Sequence, residues 1–227
     1  MPFSAADYAL LLSYAQALKT SKGKLTFGGN VKIVHRRIGP FANAWGVGLD
    51  AGLQYHIGKW KFGFMAKDIT GTYNAWSFKF SESEKEVLEL TNNEIPINSI
   101  EVTKPQILLG GGRYFQIKEK IGLYTELNAR MTTDGERNTL LSARPFSIDP
   151  TIGAEFNYSQ WLFFRLGANN CQQDRDIGID PFWTVEPTLG LGLKISKLKI
   201  DYAFTDVAEQ RNNTYSHVIS VILTVGK

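Results

Sequence analysis

The 227-residue sequence contains one cysteine, Cys171, which excludes an intrachain disulfide framework and a cysteine-rich zinc site. It holds no apolar run near the roughly 18 residues that a membrane-spanning helix requires. Basic residues are scattered. The longest Lys/Arg cluster is Arg36–Arg37 and the formal net charge is only +3, so no nucleic-acid partner is expected. The start, Met1-Pro2-Phe3-Ser4, lacks the basic region and cleavage pattern of a signal peptide. Chemistry is equally sparse. His35, His56 and His217 fall on separate segments without metal-ligand spacing. No nucleophile–base pair with an orienting partner can be found. Neither catalysis nor a cofactor or metal is expected.

What the sequence has instead is strict alternation. Between Trp45 and Ile57 the odd positions are Trp45, Val47, Leu49, Ala51, Leu53, Tyr55 and Ile57. The even positions are Gly46, Gly48, Asp50, Gly52, Gln54 and His56. One face is apolar and the other small or polar, a pattern that a helix with its 3.6-residue repeat cannot use. The same alternation recurs from Leu25, Trp60, Ile121, Ile148, Val185, Leu198 and Tyr215. Three less regular strands are expected near 8–18, 106–115 and 161–169, giving eleven in all. Aromatics at strand ends, such as Trp45, Tyr55, Trp60, Tyr158, Trp161, Trp183 and Tyr215, fit the girdles of a membrane interface.

Connections alternate as well. Short links follow the strands ending near Leu18, Ile57, Phe115, Tyr158 and Ile195. Long links are expected at 37–43, 70–104, 132–147, 170–182 and 206–213. Such alternation suits an outer-membrane barrel with periplasmic turns and extracellular loops. Within the longest link, Ser81 and Glu84 form a capping-box pattern ahead of Val87, Leu88 and Leu90, which predicts a short helix over 82–91. Gly110-Gly111-Gly112 is not followed by a helix and reads as close strand packing, not a dinucleotide fingerprint. Asp174, Asp176, Gly178 and Asp180 have calcium-like spacing, but no bidentate Glu follows, so a solvated acidic loop is the simpler reading.

The expected fold is therefore an all-β antiparallel transmembrane barrel forming a single domain over 1–227, with outer-membrane lipid around it. With a periplasmic C-terminus, an odd number of strands places Met1 outside the cell. Single-chain bacterial barrels have even strand numbers. This predicts an odd number of further strands, and a signal peptide, upstream of Met1. The polar faces place Asp50, Lys67, Glu126, Arg130, Glu155, Glu186, Lys194, Lys199 and Asp201 toward the lumen. Mixed signs favour an interior charge network over a conduction path.

Several framework segments resemble the PorV/PorQ-type outer-membrane proteins of Bacteroidetes. They are Tyr8-Ala9-Leu10-Leu11-Leu12-Ser13-Tyr14-Ala15, Gly28-Gly29-Asn30-Val31-Lys32, Ala44-Trp45-Gly46-Val47-Gly48-Leu49-Asp50 and Asn74-Ala75-Trp76-Ser77-Phe78. Further segments are Thr133-Asp134-Gly135, Ser147-Ile148-Asp149-Pro150 and Asp201-Tyr202-Ala203-Phe204-Thr205-Asp206. The resemblance implies a FadL-like barrel of about fourteen strands, an even total of the kind single-chain barrels adopt. The eleven here would then lack three. It also implies a role linked to the type IX secretion system, binding the translocon or cargo C-terminal domains. Two alternatives are a FadL-like passage for small hydrophobic molecules, which needs an apolar lumen, and a soluble β-barrel, which needs the apolar face inside.

Overall fold

The computed structural model describes residues 4–91, 94–95, 97–135, 137–143, 145–174, 182–206 and 215–225. The first strands are β1 (Ala5–Lys19), β2 (Lys24–Ile38), β3 (Ala42–Ile57), β4 (Trp60–Lys67) and β5 (Thr72–Phe78). The helix α1 (Glu82–Leu90) leads to β6 (Ser99–Thr103), β7 (Gln106–Lys118), β8 (Ile121–Thr132) and β9 (Leu141–Ala143). The chain finishes with β10 (Phe146–Tyr158), β11 (Leu162–Asp174), β12 (Phe182–Ile195), β13 (Leu198–Asp206) and β14 (Tyr215–Leu223). All fourteen strands join one sheet, ordered β1-β2-β3-β4-β7-β8-β10-β11-β12-β13-β14. These eleven are the strands that the alternation predicts.

The other three strands correct the expected loops. β5 pairs with β3 and β6, and β9 pairs with β10. Since β3 also neighbours β4, strands β4 and β5 share one partner and form a single interrupted line against it. The 70–104 segment is thus not a free loop: it carries two paired strands. The expected long link at 37–43 is a tight connection between Ile38 and Ala42. Gly39 makes that turn with φ of +54°, a conformation costly for residues with a Cβ, and Pro40 follows it. Cys171, expected in a loop, lies in β11. Asp176, Gly178 and Asp180 lie outside the described residues. The residues group into two compact units: Met1–Ala17, Thr26–Leu53 and Met65–Gln106 in the first, and Leu18–Leu25, Gln54–Phe64 and Ile107–Lys227 in the second.

Helix α1 starts as predicted. The Ser81 side chain accepts from the Glu84 backbone N–H, and the Glu84 carboxylate accepts the Ser81 N–H at 2.8 Å. The Ser81 N–H, together with the Ser81 hydroxyl that donates to the same carboxylate at 2.8 Å, holds the Glu84 carboxyl below the usual glutamate range. Because the pKa is lowered, this stabilisation is fully present above the usual glutamate range and is lost as pH falls below it, through the lowered pKa of the folded helix. Substituting Ser81→Ala should fray the helix by about 1 kcal/mol. Faster amide exchange over 82–90 checks this.

Burial is inverted relative to a water-soluble domain. Along β3, Trp45, Val47, Leu49 and Leu53 are exposed, whereas Ala44, Gly46, Gly48 and Asp50 are buried. The same holds on β12, where Leu189, Leu191 and Leu193 are exposed beside buried Gly190 and Gly192. Among the described residues, the buried apolar side chains are two alanines, Ala42 and Ala44. The buried polar ones include Asp50, Asp68, Thr72, Asn74, Ser147, Asp149 and Asn157. Each Leu or Phe left in water forgoes about 1.5–3 kcal/mol of burial. A fold that exposes whole strand faces this way needs an apolar solvent. No helix among the described residues is long and apolar enough to cross a membrane, which says nothing about a barrel, since barrels cross with strands.

Candidate functional site: the buried polar face

In the first unit the polar face closes on a lysine. Alternation sets Lys32 on β2 and Asp50 on β3 on this face, and the break between β4 and β5 adds Asp68. Lys32 Nζ lies 3.0 Å from the Asp50 carboxylate and also pairs with that of Asp68. Asp50 Oδ1 accepts the Asp68 backbone N–H at 2.8 Å, and Thr72 donates its hydroxyl to the Asp68 carboxylate. Relative side-chain exposure is 14% for Lys32, 5% for Asp50 and 8% for Asp68, so all three charges are largely out of solvent. Gly48 makes room: a Cβ there would strike the Thr72 hydroxyl and come within 2.7 Å of Lys32 Cε.

This cluster departs from the expected one in a definite way. Lys67 was expected on the polar face as a network member, yet it makes no ion pair among the described residues. Its neighbour Asp68 does so instead. Asp68 has φ of +53° and Gly71 has φ of +71°, so the chain leaves the pleat there and the period-two count slips. The signal in the sequence was Asp68 followed by Gly71, a turn-forming pair inside an otherwise apolar alternation.

In the second unit Arg165 on β11 is the organising group. Its Nε lies 2.7 Å from Glu155 on β10, and its Nη1 lies 2.7 Å from Asp201 on β13. Lys199 adds a further contact to Asp201 at 3.0 Å. Strand β12 stands between β11 and β13, yet the guanidinium reaches over it. It can do so because Arg165 and Asp201 sit beside glycines: the register pairs Arg165 with Gly190 and Asp201 with Gly192. A Cβ on Gly192 would lie 2.6 Å from Asp201 Oδ1 and 3.0 Å from Arg165 Nη1. The Gly-Leu-Gly-Leu run of β12 is thus a channel for a side chain as well as a strand. Arg165 was not among the expected network residues, although both of its partners were.

The remaining candidates join smaller groups. Arg130 lies 3.8 Å from Asp149, which also pairs with Arg137 at 3.4 Å. Residues 137–143 are held beside β10 and the end of β11: Arg137 N–H donates to Ser147 Oγ at 3.0 Å, and Gln173 N–H donates to the Asn138 carbonyl at 3.0 Å. Glu126 accepts from Asn128 Nδ2 at 3.1 Å, and Glu186 accepts from Asn170 Nδ2 at 2.6 Å. The structure brings together Asp50 with Lys32, Arg130 with Asp149, and Glu155 with Asp201 through Arg165. Among the described residues it joins none of Lys67, Glu126 and Glu186 to an ion pair. His35, His56 and His217 lie on β2, β3 and β14. His35 stacks on Trp45 at 4.2 Å between ring centroids, and His217 bonds to Tyr202 Oη at 2.8 Å.

Charges arranged this way neutralise one another. They tie adjacent and next-nearest strands together at the cost of desolvation, which close pairing repays only when the geometry is good. Such a face is suited to rigidity more than to moving an ion.

No protein-family model matches the sequence, and no curated protein matches it. Among solved structures the chain is similar to the beta domain of the Bordetella autotransporter BrkA. The TM-score is 0.55 at 13% identity, covering 96% of this chain and 89% of that one. It is also similar to the CymD monoaromatic hydrocarbon channel, with a TM-score of 0.47 at 12% identity, covering 96% of this chain and 72% of that one. The second likeness is too loose to carry an argument. The first concerns fold alone, and the chain has the all-β antiparallel fold of outer-membrane β-barrel proteins.

Proposed function

We propose that this protein resides in the outer membrane as a non-catalytic barrel and binds a protein partner at the end that carries its long connections. The observation behind membrane residence is the inverted burial: Leu, Val and Trp outside, Asp, Asn and Thr inside. The observation behind partner binding is the segment from β5 through α1 to β6. Helix α1 has no buried residue, and a nine-residue helix standing alone is marginal. Val87, Leu90, Ile97 and Ile100 are all exposed there, Leu90 and Ile97 at 79%. Apolar side chains projecting from the connections of a barrel make a surface for another protein.

The resemblance to the PorV/PorQ family suggests the partner class, a type IX translocon component or the C-terminal domain of its cargo. A FadL-like passage is the alternative reading; it needs an apolar lining, whereas the inward side of the strands carries ion pairs such as Lys32–Asp50 and Arg165–Glu155.

The test is photo-crosslinking from Leu90 and Ile97 in cells that make the full-length protein. Discrete adducts containing translocon subunits or secreted cargo domains are the expected result. An absence of protein adducts, together with uptake of hydrophobic solutes by vesicles carrying the protein, would overturn it in favour of a passage.

A further inference from the structure

One charge stands on the wrong face. In β7 the outward side reads Leu109, Gly111, Arg113, Phe115 and Ile117, while Gly110 and Gly112 meet the polar side chains of Asn128 and Tyr124. Arg113 therefore projects from the apolar surface. Its guanidinium lies 5.0 Å from the ring centroid of Trp60 and 5.0 Å from that of Phe115, so two aromatic faces hold it in place. It is exposed and makes no ion pair among the described residues. It also sits near the short-turn end of the strands. The adjacent Tyr114 N–H bonds at 2.9 Å to the carbonyl of Lys59, in the turn between β3 and β4. That is the depth at which interfacial aromatics such as Trp60 meet lipid headgroups.

Beside Arg113 the apolar surface is hollow. A trough of about 520 Å³ runs from Trp60 and Arg113 across β8, β10 and β11. The register aligns Leu127, Ile152 and Ala168 in one row and Thr125, Ala154 and Leu166 in the next. Gly111, Ala154 and Ala168 leave the floor low, and Leu127, Ile152 and Leu166 stand beside it. Elsewhere the same face carries larger apolar side chains, as in Phe156, Leu162 and Phe164.

The geometry points to a bound anionic phospholipid, with its phosphate on Arg113 and an acyl chain in the trough. An apolar groove suits a hydrocarbon chain, and the cation at its end supplies the complementary charge. A guanidinium donates two parallel hydrogen bonds to a phosphate, and the rings beside it fix its direction. Without an anion, an arginine on a lipid-facing surface is unfavourable at all but interfacial depth. This site rests on the membrane reading above, and the experiment separates the two.

The full-length chain, inserted in phosphatidylcholine vesicles and extracted, is exposed to phosphatidylglycerol and examined by native mass spectrometry. Insertion is read independently from the heat-modifiable gel shift of a folded barrel. One retained phosphatidylglycerol per chain is expected, with phosphatidylcholine lost. Arg113→Gln should lower that retention about tenfold, in keeping with the loss of a charge-assisted hydrogen bond. Ala154→Phe, which fills the trough, should do the same with Arg113 intact. Equal retention in wild type and both variants would overturn the site while leaving the membrane reading standing. So would a second copy of the chain occupying the trough. Failure of the wild type to insert would overturn both.

Discussion

Replacing Lys32 with methionine is expected to lower the stability of the inserted protein by about 3–5 kcal/mol, the range seen when one partner of a buried ion pair is removed. The substitution keeps the volume but leaves Asp50 and Asp68 facing each other on the buried side with no cation between them. That loss is large against the roughly 5–15 kcal/mol that holds most domains together. Urea unfolding of vesicle-inserted protein reads it as a midpoint lower by about 1–5 M, given the usual slopes for small proteins. Neutralising the whole cluster, with Lys32→Met, Asp50→Leu and Asp68→Asn together, should recover most of the loss, because the orphaned charges then disappear as well. An unchanged midpoint for the single variant would mean that water reaches the cluster and that the polar face is not a sealed interior.

The second large effect concerns the opposite face. Leu189 sits mid-strand in β12, flanked in register by Leu166 and Phe204, and is 46% exposed. At an exposed position of a soluble domain, Leu189→Arg would shift stability by no more than about 0.5 kcal/mol. On a lipid-facing strand near the bilayer middle it should cost about 2–4 kcal/mol. The same urea titration decides, and the size of the loss is what matters. A variant as stable as the wild type would return the chain to the soluble β-barrel alternative.

Much of the fold was legible because period two is a local property. Each of the eleven strands of the main sheet path could be placed from its own residues, and the capping box of Ser81 and Glu84 is local too. What failed was everything that depends on a distant strand. Thr72-Tyr73-Asn74-Ala75 does alternate, but its face is polar and its partner is β3, so alone it resembles a loop. The connection after Ile38 carries Gly39 and Pro40, residues that mark a turn without giving its length.

The candidate site follows the same division. Alternation placed Asp50, Glu155 and Asp201 on the polar face, but it could not name their cations. Arg165 meets Glu155 across one ladder but reaches Asp201 only over the glycines of β12, which no single strand reveals. Asp68 enters the first cluster through a positive φ that breaks the count. Arg113 is a further case. β7 is one of the less regular strands, so its outward face is settled by the contacts of Gly110 and Gly112 and not by its own residues, and the trough beside Arg113 needs several strands in register.

The central claim is that the apolar face meets lipid and the polar face does not. The most direct measurement is a nitroxide scan along β8 from Leu123 to Arg130, one position at a time in a Cys171→Ser background, on vesicle-inserted protein. Odd positions should collide readily with oxygen, which dissolves in the bilayer, and poorly with a water-soluble relaxation agent. Even positions should be shielded from oxygen, giving an oscillation of period two. Odd positions open to the water-soluble agent, with the even ones dry and apolar, would contradict the account.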